Sequence, residues 1–277
     1  MKNVKKPYTL VYQIMKRLPY VRQQAILDHL KEVDFVDINS LQKQFSVSYM
    51  TILRDIDALE MQGDVSRVYG GVKIQNNNKG IHDLSIEERF KNNIESKTAI
   101  AKKAAGFVNN GDVIGLDAST TALQMCNFLL DMEITVITNS IHVALQLSNS
   151  QTINTLLYGG IVRKSALTLV GPMIYEFEKI FNLTRSFISA KSLSAKGGLS
   201  DITLEESEVK KSLIRRSKEV FVLADHTKIG TTSVYSVCNA DSIDCIIVDN
   251  QSTFKPEQLE TLAEMEKIGT KIYFAEE

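Results

Sequence analysis

Val21, Ala25, Ile26, Leu30 and Val33 recur at helical spacing, and Ile38, Leu41 and Phe45 form the apolar face of a second, shorter helix. After Ser46-Val47-Ser48 a third stripe runs through Ile52, Ile56 and Leu59. Gly63 ends that helix, and Val65 to Ile74 reads as two short strands around Gly70-Gly71. Gln75-Asn76-Asn77-Asn78-Lys79-Gly80 is polar and aperiodic, as a linker is, and a charged helical connector follows from Ser85 to Lys103. From Val113 onward strands and helices alternate. The expected strands are Val113–Asp117, Ile134–Thr138, Thr155–Tyr158, Ser186–Ala190, Val220–Asp225, Cys245–Asp249 and Lys271–Phe274. Helical patterns lie between most of them, at Thr121–Leu130, Ile141–Leu147, Pro172–Phe181, Leu204–Arg215 and Glu257–Lys267.

Near-continuous apolar strands separated by helices predict an α/β domain with a largely parallel sheet covered on both faces. The expected organisation is a basic lead-in at 1–19, a small helical domain with a hairpin at 20–74, a linker and connecting helix at 75–94, and the α/β domain at 95–277. No repeat recurs at a fixed period.

Charge sharpens this division. The net charge of the chain is −1, but residues 1–80 hold 12 Lys/Arg against 8 Asp/Glu, a net of +4 that leaves −5 for the rest. A basic head on an acidic body implies that only the head meets a polyanion. The scattered Cys126, Cys238 and Cys245 form no disulfide frame and no metal-ligand spacing, and suit a reducing compartment. The first residues lack a cleavage site, and no apolar run nears the roughly 20 residues that span a bilayer. The expectation is a cytoplasmic protein with no membrane partner.

On a helical wheel from Ser48, the stripe Ile52, Ile56, Leu59 leaves Met50, Thr51 and Arg54 facing away. Ser48 is a good N-cap. A short helix, a tight turn and a capped helix with polar residues and Arg outward match a recognition helix, whose first residues reach base edges in the major groove. Ser48, Tyr49, Met50, Thr51 and Arg54 are therefore the candidate DNA contacts within a helix-turn-helix over residues 36–55. Arg54 suits a guanine edge or a phosphate. Arg67 and Tyr69, beside Gly70-Gly71, would form a wing on the adjacent phosphates. The plainer alternative is a helical bundle with solvated charges.

In the body, polar loops follow four strands: Asp117-Ala118-Ser119-Thr120-Thr121, Thr138-Asn139-Ser140, Gly159-Gly160 and Asp225-His226-Thr227-Lys228. Ligands bind at the carboxyl ends of strands in such sheets, and hydroxyls with free amides at a helix opening suit a phosphate. Each loop alone reads equally as caps and turns. Their joint placement points to one pocket. Lys191 is either a solvated charge or a further anion contact. None of His29, His82, His142 and His226 has a partner at catalytic or metal spacing, so no catalytic residue, metal or cofactor is assigned.

The segment Val36 to Asp55, with Ser48-Tyr49-Met50-Thr51-Ile52-Leu53-Arg54-Asp55, resembles the DeoR-type regulator signature, usually S-x-x-T-I-R-R-D-L, and the Gly70-Gly71 wing is similar too. Leu53 stands where the first Arg of that pair is usual. The body resembles the DeoR-type C-terminal domain, which is similar in fold to ribose-5-phosphate isomerase and glucosamine-phosphate deaminase. The resemblance implies a winged helix-turn-helix repressor of a carbohydrate operon. It would bind double-stranded operator DNA as a homodimer or homotetramer and answer to a phosphorylated sugar. Asp117, Thr120, Thr121, Thr138, Asn139, Gly159, Gly160, Glu206, Asp225 and Lys228 match family motifs, and with Ser119 and Lys191 they are the expected effector site. Ser189 and Ser192 stand where Gly is usual, and Lys191 stands where the family often has an acid. The alternative is a sugar-phosphate isomerase or deaminase, with Asp117, Glu206 and Asp225 as acid or base by residue type.

Overall fold

A computed structural model describes residues 19–33, 35–61, 64–68, 70–74, 89–90 and 92–276. The expected lead-in, Gly63, Tyr69 and the linker with the start of its connector lie outside these residues, apart from Pro19. Contacts divide the chain into two units, Met1–Ile81 and His82–Glu277.

In the first unit, helix α1 (Pro19–Val33) is followed by β1 (Phe35–Asp37), α2 (Ile38–Phe45), α3 (Tyr49–Met61), β2 (Val65–Val68) and β3 (Gly71–Ile74). Asp37 caps α2 by accepting from the Ser40 amide at 2.9 Å. Ser46 leaves the helix in the left-handed conformation, φ 51°. Ser48 then starts α3, its hydroxyl accepting from the Thr51 amide at 3.2 Å. Ile26, Leu30, Leu41, Phe45, Ile52 and Ile56 are buried together, so the three expected stripes meet in one core. Within it Arg22 and Asp55 form a bidentate ion pair, Nε to Oδ2 at 2.5 Å and Nη2 to Oδ1 at 3.1 Å.

The wing has three strands rather than the expected two. β1 pairs antiparallel with β3, giving the order β1-β3-β2. A Cβ on Gly71 would lie 2.4 Å from the Val36 carbonyl oxygen, so the close approach of β1 requires glycine there.

The second unit is built on a seven-stranded sheet, parallel throughout. Its strands are β4 (Val113–Leu116), β5 (Thr135–Thr138), β6 (Asn154–Leu157), β9 (Leu183–Ile188), β12 (Ser217–Ala224), β14 (Cys245–Val248) and β15 (Lys271–Phe274), in the order β15-β14-β12-β9-β4-β5-β6. Each overlaps an expected strand. Helices α4 (Ile94–Ala105), α5 (Thr120–Met125) and α6 (Ile141–Leu147) bury Ile100, Ala122 and Val143 on one face. Helices α8 (Leu204–Arg215) and α9 (Pro256–Lys267) bury Val209, Leu213, Leu262 and Met265 on the other.

From β4 the chain winds outward through β5 and β6, and from β9 it winds the opposite way through β12, β14 and β15. The switch point therefore lies between β4 and β9, where a crevice opens at the carboxyl ends of the strands. Three smaller features fall outside the expected pattern. A hairpin, β7 (Ile161–Arg163) and β8 (Thr168–Val170), follows β6, and α7 is short, Met173–Phe177. A second small sheet joins β10 (Ser192–Ser194), β11 (Gly198–Asp201) and β13 (Tyr235–Cys238). No described helix is long and apolar enough to cross a membrane.

Candidate functional site

A cavity of about 350 Å³ opens at the switch point. Ser119 and Thr120 reach it from the end of β4, Ser189 and Lys191 from the end of β9, and Asp225, Thr227 and Lys228 from the end of β12. Asp201, Glu206 and Lys210 close it from β11 and α8, Arg163 from the hairpin, and Arg89, Asn92 and Lys97 from the segment that opens α4. Of the expected effector residues, Ser119, Thr120, Lys191, Glu206, Asp225 and Lys228 thus line this one cavity.

The other six do not line it. Asp117 lies one layer behind, accepting from the Ser189 and Ser119 amides at 2.9 and 3.0 Å, with Lys210 Nζ at 3.5 Å. Thr121 is buried in the first turn of α5. Thr138 accepts from the Ser140 amide at 3.1 Å, and Asn139 donates to the Leu169 carbonyl at 3.3 Å, tying the β5 loop to the hairpin. Gly159 and Gly160 serve the same hairpin, since a Cβ on Gly160 would lie 2.5 Å from the Val170 carbonyl oxygen. These two loops belong to strands outboard of the switch point, which is why they do not converge with the rest.

Among the described residues, six cationic side chains line the cavity against the three carboxylates of Asp201, Glu206 and Asp225. Each carboxylate has a cation beside it. Lys210 pairs with Asp201. Glu206 accepts from Arg163 at 3.1 Å and from the Thr168 hydroxyl at 2.7 Å. Lys228 stands 3.9 Å from Asp225. That leaves Arg89, Lys97 and Lys191 in surplus. Lys191 is exposed at the rim. The Arg89 Nε and Nη2 atoms are buried without a hydrogen-bond partner among the described residues. A buried donor with no acceptor costs about 1–3 kcal/mol, more when charged, and is relieved by an anion.

The electrostatics follow. Burial, helped by Lys228 and Arg89 and opposed by Asp225, pushes Lys97 down to about 8, and its ammonium donates to the Arg89 and Asn92 carbonyls, the latter at 2.6 Å. Burial works against the charge on Lys210, but Asp201, Asp117 and Glu206 outweigh it and hold the ammonium above its usual range. Burial alone would raise Asp201 and Asp225, yet Lys210 and Lys228 respectively hold both below the usual carboxylate range. Lys228 is itself lowered, chiefly by burial. The described residues contain no His, Cys, Asp and Glu grouping able to hold a metal ion.

Sequence reasoning passed over Arg89, Lys97, Arg163, Asp201 and Lys210. Only Lys210 carried a local signal, standing one helical turn beyond Glu206 on the same face of α8.

In the first unit, Tyr49, Met50 and Arg54 are exposed on α3, with Ser48 exposed at its start. Thr51 turns its hydroxyl back to Ser48 at 2.8 Å. Leu53 is half-buried beside the core stripe. Arg67 is not extended from the wing. It pairs with Asp57, lies 3.3 Å from Glu60 and donates to the Leu53 carbonyl at 3.3 Å, all on the recognition helix.

A capped recognition helix with a wing in one unit, and a cation-rich cavity at the switch point of a parallel sheet in the other, are the parts of a ligand-responsive DNA-binding regulator. Family models match both: residues 22–78 match the DeoR-like helix-turn-helix domain, and residues 92–250 the DeoR C terminal sensor domain. The chain belongs to the DeoR family of transcriptional regulators. It is similar to the HTH-type transcriptional regulator GolR of Listeria innocua, 35% identical over 241 residues that cover 84% of this chain and 91% of that one. It is also similar to the lactose phosphotransferase system repressor of Lactococcus lactis, 32% identical over 246 residues, with 88% and 95% covered. Among solved structures it aligns with ribose 5-phosphate isomerase A of Methanocaldococcus jannaschii at 18% identity and a TM-score of 0.38, covering 51% of this chain and 55% of that one.

Proposed function

We propose that this regulator is a repressor of a carbohydrate operon, released from its operator by a phosphorylated sugar in the cytoplasm. The observation that carries the effector class is the pair of Arg89 nitrogens, Nε and Nη2, buried without a partner among the described residues in a cavity where cations outnumber carboxylates. A phosphate ester would satisfy Arg89, Lys97 and Lys228, while Thr120, Glu206 and Asp225 suit sugar hydroxyls. Residues 20–74 would bind DNA, 75–94 connect, and 95–277 sense. Two heads on a homodimer or homotetramer would read a two-fold operator. Ser48, Tyr49, Met50 and Arg54 would contact it, and Thr51 would steady the Ser48 cap. Arg67 would grip phosphate only after leaving Asp57 and Glu60. Asp117, Thr121, Thr138, Asn139, Gly159 and Gly160 would support the site from behind.

The test is a panel of ribose 5-phosphate, glucose 6-phosphate and glucosamine 6-phosphate. At least one should raise the melting temperature of the purified protein, because a ligand that binds only the native state stabilises it. The same compound should release operator in a gel shift, without turnover. Conversion of a panel member, abolished by Glu206→Gln or Asp225→Asn, would establish an enzyme instead.

A further inference from the structure

Lys228 and Asp225 sit three residues apart at the end of β12, near enough to pair closely, yet Lys228 Nζ stands 3.9 Å from Asp225 Oδ2. The reason is a third side chain. Lys228 Nζ donates to the Ser189 hydroxyl at 2.7 Å instead. Ser189 is only 1% exposed, and its position is fixed from the other side, where its amide donates to Asp117 at 2.9 Å. Asp225 is held separately through Oδ1, which accepts from the Thr227 amide at 3.1 Å and from the Thr227 hydroxyl. Among the described residues Oδ2 accepts no hydrogen bond, and all three side chains line the cavity. The result is an ammonium and a carboxylate oxygen presented side by side, each with capacity to spare.

We infer that Ser189 is a positioning and specificity-determining residue: it holds Lys228 off Asp225, so that the ammonium meets the anionic group of the ligand while Asp225 Oδ2 accepts from a hydroxyl close to that group. The inference rests on the sugar-phosphate reading above and adds to it. The ligand class becomes one whose phosphate and hydroxyl are bound together, with the hydroxyl distinguishing it from a bare phosphate. Without the Ser189 hydroxyl, Lys228 closes onto Asp225, and one contact neutralises both binding groups. Pairing opposite charges favours the empty protein while it costs the ligand, so stability and affinity move in opposite directions. A merely structural serine, by contrast, would lose both together.

The experiment uses the full chain, with inorganic phosphate and the three sugar phosphates above as probes, read by calorimetric titration and thermal melting. Ser189→Ala should weaken the best sugar phosphate roughly tenfold or more, the loss of a charge-assisted contact. It should also shrink the preference for that compound over inorganic phosphate, with a melting temperature of the empty protein no lower than that of the wild type. Ser189→Thr, which keeps the hydroxyl, should restore most of the preference. If Ser189→Ala binds with wild-type affinity and preference, the positioning role falls while the sugar-phosphate reading stands. A fall in melting temperature with an unchanged preference ratio would make Ser189 structural and overturn the inference. If the wild type binds no sugar phosphate better than inorganic phosphate, both readings fall.

Discussion

Arg22→Met should unfold the DNA-binding unit without touching its reading face. Arg22 and Asp55 are joined through two nitrogens and two oxygens, and both side chains are 3% exposed. Removing one member of such a pair strands a buried charge and costs about 3–5 kcal/mol. Among the described residues Asp55 would keep the Gln23 amide, at 3.3 Å. A domain of fewer than about 70–80 residues seldom draws more than 3–5 kcal/mol from its core, so the loss is comparable to the whole stability of this unit. Circular dichroism of the full chain in urea should show the N-terminal transition moved to low denaturant, and operator binding lost. The second unit, with its own two cores, should melt as before and still bind effector. Arg22→Met with Asp55→Leu replaces both charges by apolar volume and should recover most of the loss, since such exchanges are often neutral. An Arg22→Met protein within ~0.5 kcal/mol of wild type, the range of an ordinary surface change, would refute the buried-pair argument.

Three further outcomes are expected. Arg54→Ala should cost about 1–3 kcal/mol of operator affinity if Arg54 reads a base, and wild-type affinity should fall with salt at a slope near −0.9 per phosphate neutralised. A gel-shift titration with no difference would remove Arg54 from the interface. Thr120→Val, on the cavity wall, should blunt induction of an operator-fused reporter, whereas Thr121→Val, buried behind it, should leave induction near normal; the reverse pattern would remove Thr120 from the effector contacts. Lys97 is lowered to about 8 by burial and by Lys228 and Arg89 against Asp225, so above pH 8 the empty protein has lost its proton and anion binding must restore it. A phosphate ester, with its second pKa near 6, stays dianionic there, so affinity should fall by up to about tenfold per pH unit above 8. Equal binding heats at pH 8 in two buffers of different ionisation enthalpy would refute the proton uptake.

The inner strands of the main sheet were legible because a sheet covered on both faces needs apolar runs such as Cys245–Val248, which no solvent-facing segment imitates. The strands that escaped notice are short and partly exposed. Ile161 and Val162 face solvent, so β7 carries no burial pattern to read. β13 finds its partner only through β11, far away in sequence. Ser192-Leu193-Ser194 and Leu199-Ser200 around Gly197-Gly198 did alternate as a hairpin does, and that signal was available. The site divides in the same way. Ser119, Thr120, Asp225 and Lys228 were visible as polar residues at strand ends. Which strand ends face one another depends on strand order, and order put β5 and β6 outside the crevice. Arg89, Lys97 and Arg163 resemble solvated charges in any one-dimensional pattern, and only folding turns them inward.

The charges in the cavity also bear on the choice between sensing a ligand and converting it. General acid–base work favours a group whose pKa lies near the working pH and is free to give or take a proton. Asp201 and Asp225 lie below the usual carboxylate range, Lys210 lies above its own, and Glu206 is engaged by Arg163 and Thr168. Asp201, Asp225 and Lys210 are each held in the charged form by the partner beside them. Fixed opposite charges of this sort cost nothing to reorganise when an ionic, hydroxyl-rich ligand arrives, and they discriminate it from neutral sugars. Lys97 is lowered to about 8, chiefly by burial, and its ammonium is committed to the Arg89 and Asn92 carbonyls at the opening of α4. On the sugar-phosphate reading, its proton would be taken up with the anion, on a side chain tied to the backbone of Arg89 and Asn92.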